Sequence, residues 1–295
     1  MTLEEMLADV QLDTSDVPQL EVGHAVDLEA HRDNSEDWKL ARQRGLGGSD
    51  AAVVIGMQPY DRDRPTLWRQ KTGREEHKVG NEAVRFGSLV EGYIRSYLHQ
   101  RARDTRSIFG QWNRLVDYPY QMRHPEYQWA RANVDGLIVR DADITIYPDG
   151  SREIHEPADV VAGVEIKQSS YKHRADRCDW TPEGVRAEHY PQIQHYMFVT
   201  GLQRWQYVYY HVPADRETLR KIASRFIDLE DATDYWHWLI DEGVLTIKSV
   251  ARDDQYIQRL KSAEYQFWNE YVEADEEPDK WMPEGEIEIE HEELA

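Results

Sequence analysis

Cysteine is nearly absent from this sequence: Cys178 stands alone among 295 residues. One thiol cannot close an internal disulfide, and it cannot supply a four-thiolate zinc or iron–sulfur site. Long apolar runs are missing too. No stretch approaches the ~18 apolar residues of a membrane span, and the opening MTLEEMLADV lacks a signal-peptide core. Both absences lead us to expect a protein of the reducing cytoplasm with no membrane partner. Positive charge is scarce as well: 35 Lys and Arg stand against 56 Asp and Glu, leaving −21. That is the wrong sign for gripping DNA over a broad surface. Two explanations compete: a local basic channel inside an acidic shell, or an acidic mimic of DNA that binds a nucleic-acid enzyme. The distribution favours the channel. Residues 1–37 and 273–295 are strongly acidic, whereas WKLARQR (38–44) and RSYLHQRARDTR (95–106) are basic.

What remains is ordinary for a folded enzyme, with 40% hydrophobic and 31% charged residues. The chain is long enough to bury a sizeable core, and it reads as one domain with trimmings. Residues 1–34 form an acidic lead-in without sustained period, 35–273 the domain, and 274–295 an acidic tail. A short helix is expected from Asn34-Ser35-Glu36 to the glycines of RGLGGSD, and Ser49 is expected to cap a second one through AAVVIGM. Thr66 opens LWRQKTG, which Gly73 closes. Phe86, Val90, Tyr93, Ile94, Tyr97 and Leu98 recur at helical spacing over 81–103. Strand-like segments follow near 115–122, 127–140, 143–147, 152–155 and 160–167, with a PDG turn at 148–150. A helix is expected from His189-Tyr190-Pro191 to Gly201, then a strand at 205–212, then helices near 214–242 and 250–273.

Three pieces carry chemistry: Asp135 in NVDGLIV, Glu165-x-Lys167 in VEIKQS, and Gln192-x-x-x-Tyr196 in YPQIQHYMFVT. Strand alternation puts Glu165 and Lys167 on one face, with Ile166 turned to the other. Gln192 and Tyr196 share a helix face at i and i+4. Two convergent carboxylates and a backbone carbonyl suit Mg²⁺, and a nearby lysine can orient water or offset charge on phosphoryl oxygens. Gly47-Gly48-Ser49-Asp50-Ala51 loosely resembles a serine nucleophile elbow, but a charged helix rather than a strand precedes it.

RQRGLGGSDAAVVIG (42–56), VRFGSLVEGYI (84–94), NVDGL (133–137), VEIK (164–167) and YPQIQHYMFVTG (190–201) together resemble the YqaJ-type viral recombinase family. That family comprises phage lambda exonuclease-like members of the PD-(D/E)XK nuclease superfamily. The segments keep the family's order over about 160 residues, and EYQFWNEYVE (264–273) resembles its closing helix. The resemblance implies an α/β fold: a central mixed sheet flanked by helices, with extra C-terminal helices. It implies that Glu91, Asp135, Glu165 and the Ile166 carbonyl bind Mg²⁺ or Mn²⁺, and that Lys167 assists the attacking water. Gln192 then contacts that lysine or water, Tyr196 completes the motif, and Arg42 and Ser49 hold a terminal 5′-phosphate. Asn133 stands where a lambda-type relative has serine, and its amide can still donate to phosphate. The implied activity is 5′ to 3′ digestion of double-stranded DNA ends, leaving 3′ tails for recombination. The implied setting is a phage or prophage protein, a ring-like homo-oligomer partnered by a single-strand annealing protein. A PD-(D/E)XK endonuclease would use the same carboxylates, so free ends are the discriminating substrate. The 30 positions between Asp135 and Glu165 also carry an insertion near 141–158, hairpin-like in pattern.

Overall fold

In the computed structural model, the described residues are 20–21, 27–29, 36–57, 62–75, 91, 94–95, 98, 113–116, 118, 121–140, 144–146, 152–154, 158–168, 180–211 and 245–280. The central sheet is mixed. Strand β9 (Ala158–Gln168) lies at its middle, parallel to β10 (Arg204–Tyr210) and antiparallel to β6 (Gly136–Arg140). Outside these, β3 (Asn113–Val116) pairs with β6, and β11 (Leu245–Ala251) pairs antiparallel with β10. The order is therefore β11-β10-β9-β6-β3, and the short β1 (Leu20–Glu21) joins β9 in parallel. This is the expected α/β class. A parallel neighbour needs a crossover connection, and helix α4 (Tyr190–Thr200) lies within the one from β9 to β10.

Every residue of α4 is buried, as befits a helix with neighbours on all sides. Its polar side chains are each tied to a partner, as buried polar groups must be. Gln194 Nε2 donates to the Ala251 carbonyl at 3.0 Å, and its Oε1 accepts the Asp253 N–H at 3.0 Å. Thr200 Oγ1 donates to the Tyr196 carbonyl at 2.7 Å. His195 bridges Glu264 and the Arg131 carbonyl, at 2.7 and 2.8 Å. The helix thus fixes β11, β5 (Arg131–Ala132) and α5 (Asp254–Gln266) to one another. Gly201, at φ 70°, terminates it.

Around this frame lie α1 (Glu36–Gln43), α2 (Gly48–Val54) and α3 (Arg64–Lys71). Strands β2 (Asp27–Glu29), β4 (Gln121–Arg123) and β5 form a small second sheet. Strands β7 (Ile144–Ile146) and β8 (Arg152–Ile154) pair antiparallel as a separate ribbon, matching the hairpin pattern near 141–158. Of the helix expected over 81–103, Glu91, Ile94, Arg95 and Leu98 are described; they are helical, and Ile94 and Leu98 are buried. The helix expected at 214–242 and the turn at 148–150 lie outside the described residues. No described helix is long and apolar enough to cross a membrane.

Several expectations are corrected. The segment 127–140 is not one strand: β5 and β6 are separated by a connection holding Asn133, Val134 and Asp135. Likewise 115–122 divides between β3 and β4, with buried Tyr118 between them. Residues 245–251 form strand β11, so the last helix begins at Asp254, capped by Asp253, and widens to π spacing over Phe267–Glu273. Ser49 is not the cap of α2. Gly47 occupies that position, and the Asp50 carboxylate accepts its N–H at 2.9 Å. Helix α3 starts before Thr66, because Asp63 caps it by accepting the Thr66 N–H at 3.0 Å.

Candidate active site

The antiparallel register of β6 and β9 sets Gly136 opposite Val164. Asp135 stands one residue before β6 begins, which brings its carboxylate within electrostatic reach of Glu165. Asp135 Oδ2 accepts the Ile166 N–H at 2.7 Å. A strand residue's N–H and C=O point to the same side, so the Ile166 carbonyl also faces the edge where β6 has ended. Ile166 itself is buried on the opposite face.

Glu165 is 1% exposed. Gln192 Nε2 donates to its Oε1 at 2.6 Å, and Lys167 Nζ contacts the same oxygen. The other oxygen, Oε2, is buried with no hydrogen-bond partner among the described residues. Burial, chiefly, and then the Asp135 charge push the Glu165 carboxyl up to about 8, against the opposing pull of Lys167. Glu91 behaves similarly, pushed up to about 7 by burial and by Asp135 despite its ion pair with Arg95. Glu91 also lies within electrostatic reach of Lys167. Gln192 Nε2 donates as well to the Tyr196 hydroxyl at 2.8 Å, and burial together with Glu165 and Asp135 holds that phenol well above its usual range.

These residues fit a divalent cation in their chemistry. A buried, unpartnered carboxylate oxygen beside two further carboxylates is what a positive ion would relieve. Among the described residues no three His, Cys, Asp or Glu side chains converge as a ready-made cage. Each carboxylate is engaged otherwise: Glu91 by Arg95, Asp135 by the Ile166 amide, and Glu165 by Gln192 and Lys167.

The glycine loop abuts this cluster. A Cβ on Gly48 would lie 2.5 Å from Tyr196 Cε1 and 3.0 Å from Gln192 Cγ, so only glycine lets α2 approach α4 here. At the exposed end of the loop, Arg42 Nη2 lies 3.3 Å from the Ser49 hydroxyl. Asn133 sits between β5 and β6, two residues before Asp135. The structure therefore gathers Asp135, Glu165, Lys167, Gln192 and Tyr196 into one contact network. Glu91 stands within its field, and Arg42 and Ser49 stand beside it.

A family profile described as the YqaJ-like viral recombinase domain matches residues 37–203, more than half of the chain. The chain belongs to this family. Its match spans all five segments quoted above in full, the whole of α4 among them. The YqaJ protein of Bacillus subtilis (strain 168) is 26% identical over 242 residues, covering 80% of this chain. This chain spans only 56% of that relative's length. Among solved structures, the alkaline exonuclease LHK-Exo from Laribacter hongkongensis matches with a TM-score of 0.50 at 17% identity, covering 82% of this chain and 94% of that one. LHK-Exo in complex with dAMP matches at 0.51 and 18%, with the same coverage. The YqaJ-like chain thus has the PD-(D/E)XK type of fold.

Sequence reasoning did not single out several residues that shape the site. His189 and Tyr207 are joined at 2.7 Å, and Tyr207 is paired in register with Glu165. Burial, with the Lys167 and Arg186 charges, lowers the His189 pKa and keeps that ring neutral. The signal was present in the alternation of Tyr207 and Tyr209 on β10, which places both hydroxyls on the Glu165 face. Asp50, Arg62 and Lys71, described below, carried no comparable pattern.

Proposed function

We propose that this YqaJ-like protein is a metal-dependent exonuclease that digests double-stranded DNA 5′ to 3′ and leaves 3′ tails for recombination. The observation that carries the reading is Glu165: a buried carboxylate with one oxygen fixed by Gln192 and Lys167, the other unpartnered among the described residues, and Asp135 within electrostatic reach. Asp135, Glu165, the Ile166 carbonyl and Glu91 would hold Mg²⁺ or Mn²⁺. A bound ion of this kind supplies Lewis-acid polarisation of the scissile phosphate. Gln192 and Tyr196 keep Glu165 oriented. The Lys167 ammonium, held on the Glu165 face, donates to the attacking water or to phosphoryl oxygens as charge builds there. Arg42 and Ser49 anchor the 5′-phosphate of the end being digested, with Asn133 donating to a nearby phosphate. Anchoring the end sets the next bond over the carboxylates, turning recognition into alignment.

The acidity of the whole chain is compatible with this reading if several copies surround one duplex. A ring-like homo-oligomer converts repeated weak phosphate contacts into lasting attachment. The recombination role would add a single-strand annealing protein as partner. Light scattering with and without a short duplex reads the assembly directly, and a strictly monomeric mass with full processivity would remove the ring.

The central experiment compares linear and covalently closed duplexes in Mg²⁺, Mn²⁺, Ca²⁺ and excess chelator, with each strand labelled at its 3′ end. Shortening of linear DNA alone, from 5′ ends, in Mg²⁺ or Mn²⁺, is the expected result. Calcium, larger and looser in coordination, should support binding with poor turnover. Cutting of closed circles would make the protein an endonuclease, and robust cleavage in chelator would remove the metal mechanism.

A further inference from the structure

Two guanidinium groups close on one exposed serine. Arg42 reaches the Ser49 hydroxyl, and Arg62 Nη1 lies 3.5 Å from the Ser49 carbonyl oxygen. Arg62 arrives from the connection ahead of α3 and is held firmly on its far side. Its Nε and Nη2 donate to Gln70 Oε1 at 3.0 and 2.7 Å, and Nη2 lies 2.8 Å from Asp50 Oδ1. Asp50 is fully buried and organises the whole corner. Its Oδ2 meets Lys71 Nζ at 2.7 Å and accepts the Gly47 N–H at 2.9 Å. Lys71 Nζ in turn donates to the Arg42 carbonyl at 2.7 Å. One carboxylate therefore ties Arg62, the glycine loop and, through Lys71, the backbone of Arg42 into a fixed arrangement.

The charges do not cancel. Lys71 and Arg62 bring two positive charges and Asp50 one negative, so this triad retains one positive charge directly behind Ser49. The outward nitrogen of Arg62, Nη1, carries two N–H groups. Its contact with the Ser49 carbonyl is long, and it occupies at most one of them. Fixing Nε and Nη2 leaves little freedom to lose when an anion arrives, which favours binding. A terminal phosphate carries up to two charges and three unbridged oxygens, more than one guanidinium satisfies.

We propose that Arg62 is the second guanidinium of the terminal-phosphate pocket and a determinant of its preference for a 5′-phosphorylated end. The inference rests on the end-recognition reading given above. An internal phosphodiester, with a single charge, gains less from a second cation, so Arg62 separates the two kinds of phosphate.

The test reads binding without turnover. A hairpin duplex with one open end, fluorescent in its loop, carries either a 5′-phosphate or a 5′-hydroxyl, and anisotropy is followed in excess chelator. Wild type, Arg62→Ala, Arg62→Lys and Arg42→Ala are compared, with thermal melting to establish that each is folded. Wild type should favour the phosphorylated end. Arg62→Ala should cut that preference by roughly tenfold, the scale of one charge-assisted hydrogen bond, and Arg62→Lys by less because charge persists without the fork. Suppose Arg42→Ala abolishes the preference while Arg62→Ala leaves it intact, or weakens both ends equally. Arg62 is then outside the pocket, and the end-recognition reading stands. If wild type itself shows no preference, that reading fails and this inference falls with it.

Discussion

Gln192 of α4 and Glu165 of β9 are joined by a 2.6 Å hydrogen bond that crosses from the buried helix to the central strand. The same amide nitrogen donates to the Tyr196 hydroxyl one turn later, so the helix fixes Gln192 before it fixes the carboxylate. Glu165 owes its orientation to this contact and to Lys167. Gln192→Ala should therefore leave the protein folded and lower kcat by roughly a hundredfold, the cost of misplacing a reacting group by about an ångström. KM for DNA should change little, because the Gln192 amide is turned to Glu165 and Tyr196. Steady-state kinetics on a phosphorylated linear duplex checks this. A change confined to KM would mean Gln192 serves binding instead.

Removing the negative charge of Glu165 should separate stability from activity. In Glu165→Gln the amide oxygen can still accept from Gln192 and Lys167, the amide nitrogen takes the place of the other oxygen, and the buried negative charge disappears. We expect cleavage to vanish and the melting temperature, measured without divalent ions, to rise by a few degrees. Added Mn²⁺ should stabilise the wild type and have a smaller effect on the variant, since a carboxylate ligand is missing. A variant that melts lower than wild type without metal would show that the charge is already well compensated.

Gly48 is where the glycine loop and helix α4 touch. A methyl group there would stand 2.5 and 2.8 Å from the Tyr196 ring. Gly48→Ala must push apart two well-packed helices, and we expect a loss of about 1–3 kcal/mol in denaturant unfolding, typical of overpacking. Because the displaced groups are Tyr196 and Gln192, kcat should fall as well. Wild-type stability and turnover together would mean that α2 shifts freely.

The site was legible in the sequence wherever one element supplies a pair. Glu165 and Lys167 follow strand alternation, and Gln192 and Tyr196 follow helical spacing, so each pair could be read without the fold. Joining the pairs required register: nothing local says that Asp135 comes near Glu165, and the segment around Asp135 reads as continuous strand although it is not. Strand β11 escaped notice because it is an edge strand. Only Leu245 and Val250 are buried in it, while Lys248 and Ser249 face water, so the apolar alternation that marks a strand never develops. Asp50 was hidden for a different reason. Its three side-chain and backbone partners come from Gly47, Arg62 and Lys71, and an acid after a glycine loop has no pattern that announces burial.

His195 and Glu264 provide a pH test that is independent of catalysis. The Arg131 carbonyl can only accept, so His195 Nε2 must carry hydrogen for the 2.8 Å contact. The 2.7 Å contact between Nδ1 and Glu264 Oε1 then contains a proton, whichever atom holds it. Burial disfavours charge on the ring, but the Glu264 carboxylate, its hydrogen bond and the Arg131 carbonyl outweigh it, and the His195 pKa is raised. Burial likewise raises Glu264. Above the usual histidine pKa of 6.5 the unfolded chain has released this proton, whereas the folded pair keeps it. The folded state then binds more protons than the unfolded one, so stability falls as pH rises from about 6.5 through the folded pKa. Below that range the contribution of His195 is fully present. Glu264→Gln preserves a neutral hydrogen bond to His195 but removes the carboxylate that holds the proton. Urea midpoints at several values from pH 6 to pH 9 should decline in wild type and decline less steeply in the variant. Parallel slopes in the two proteins would place the alkaline loss elsewhere, and the pair would then be a simple hydrogen bond between α4 and α5.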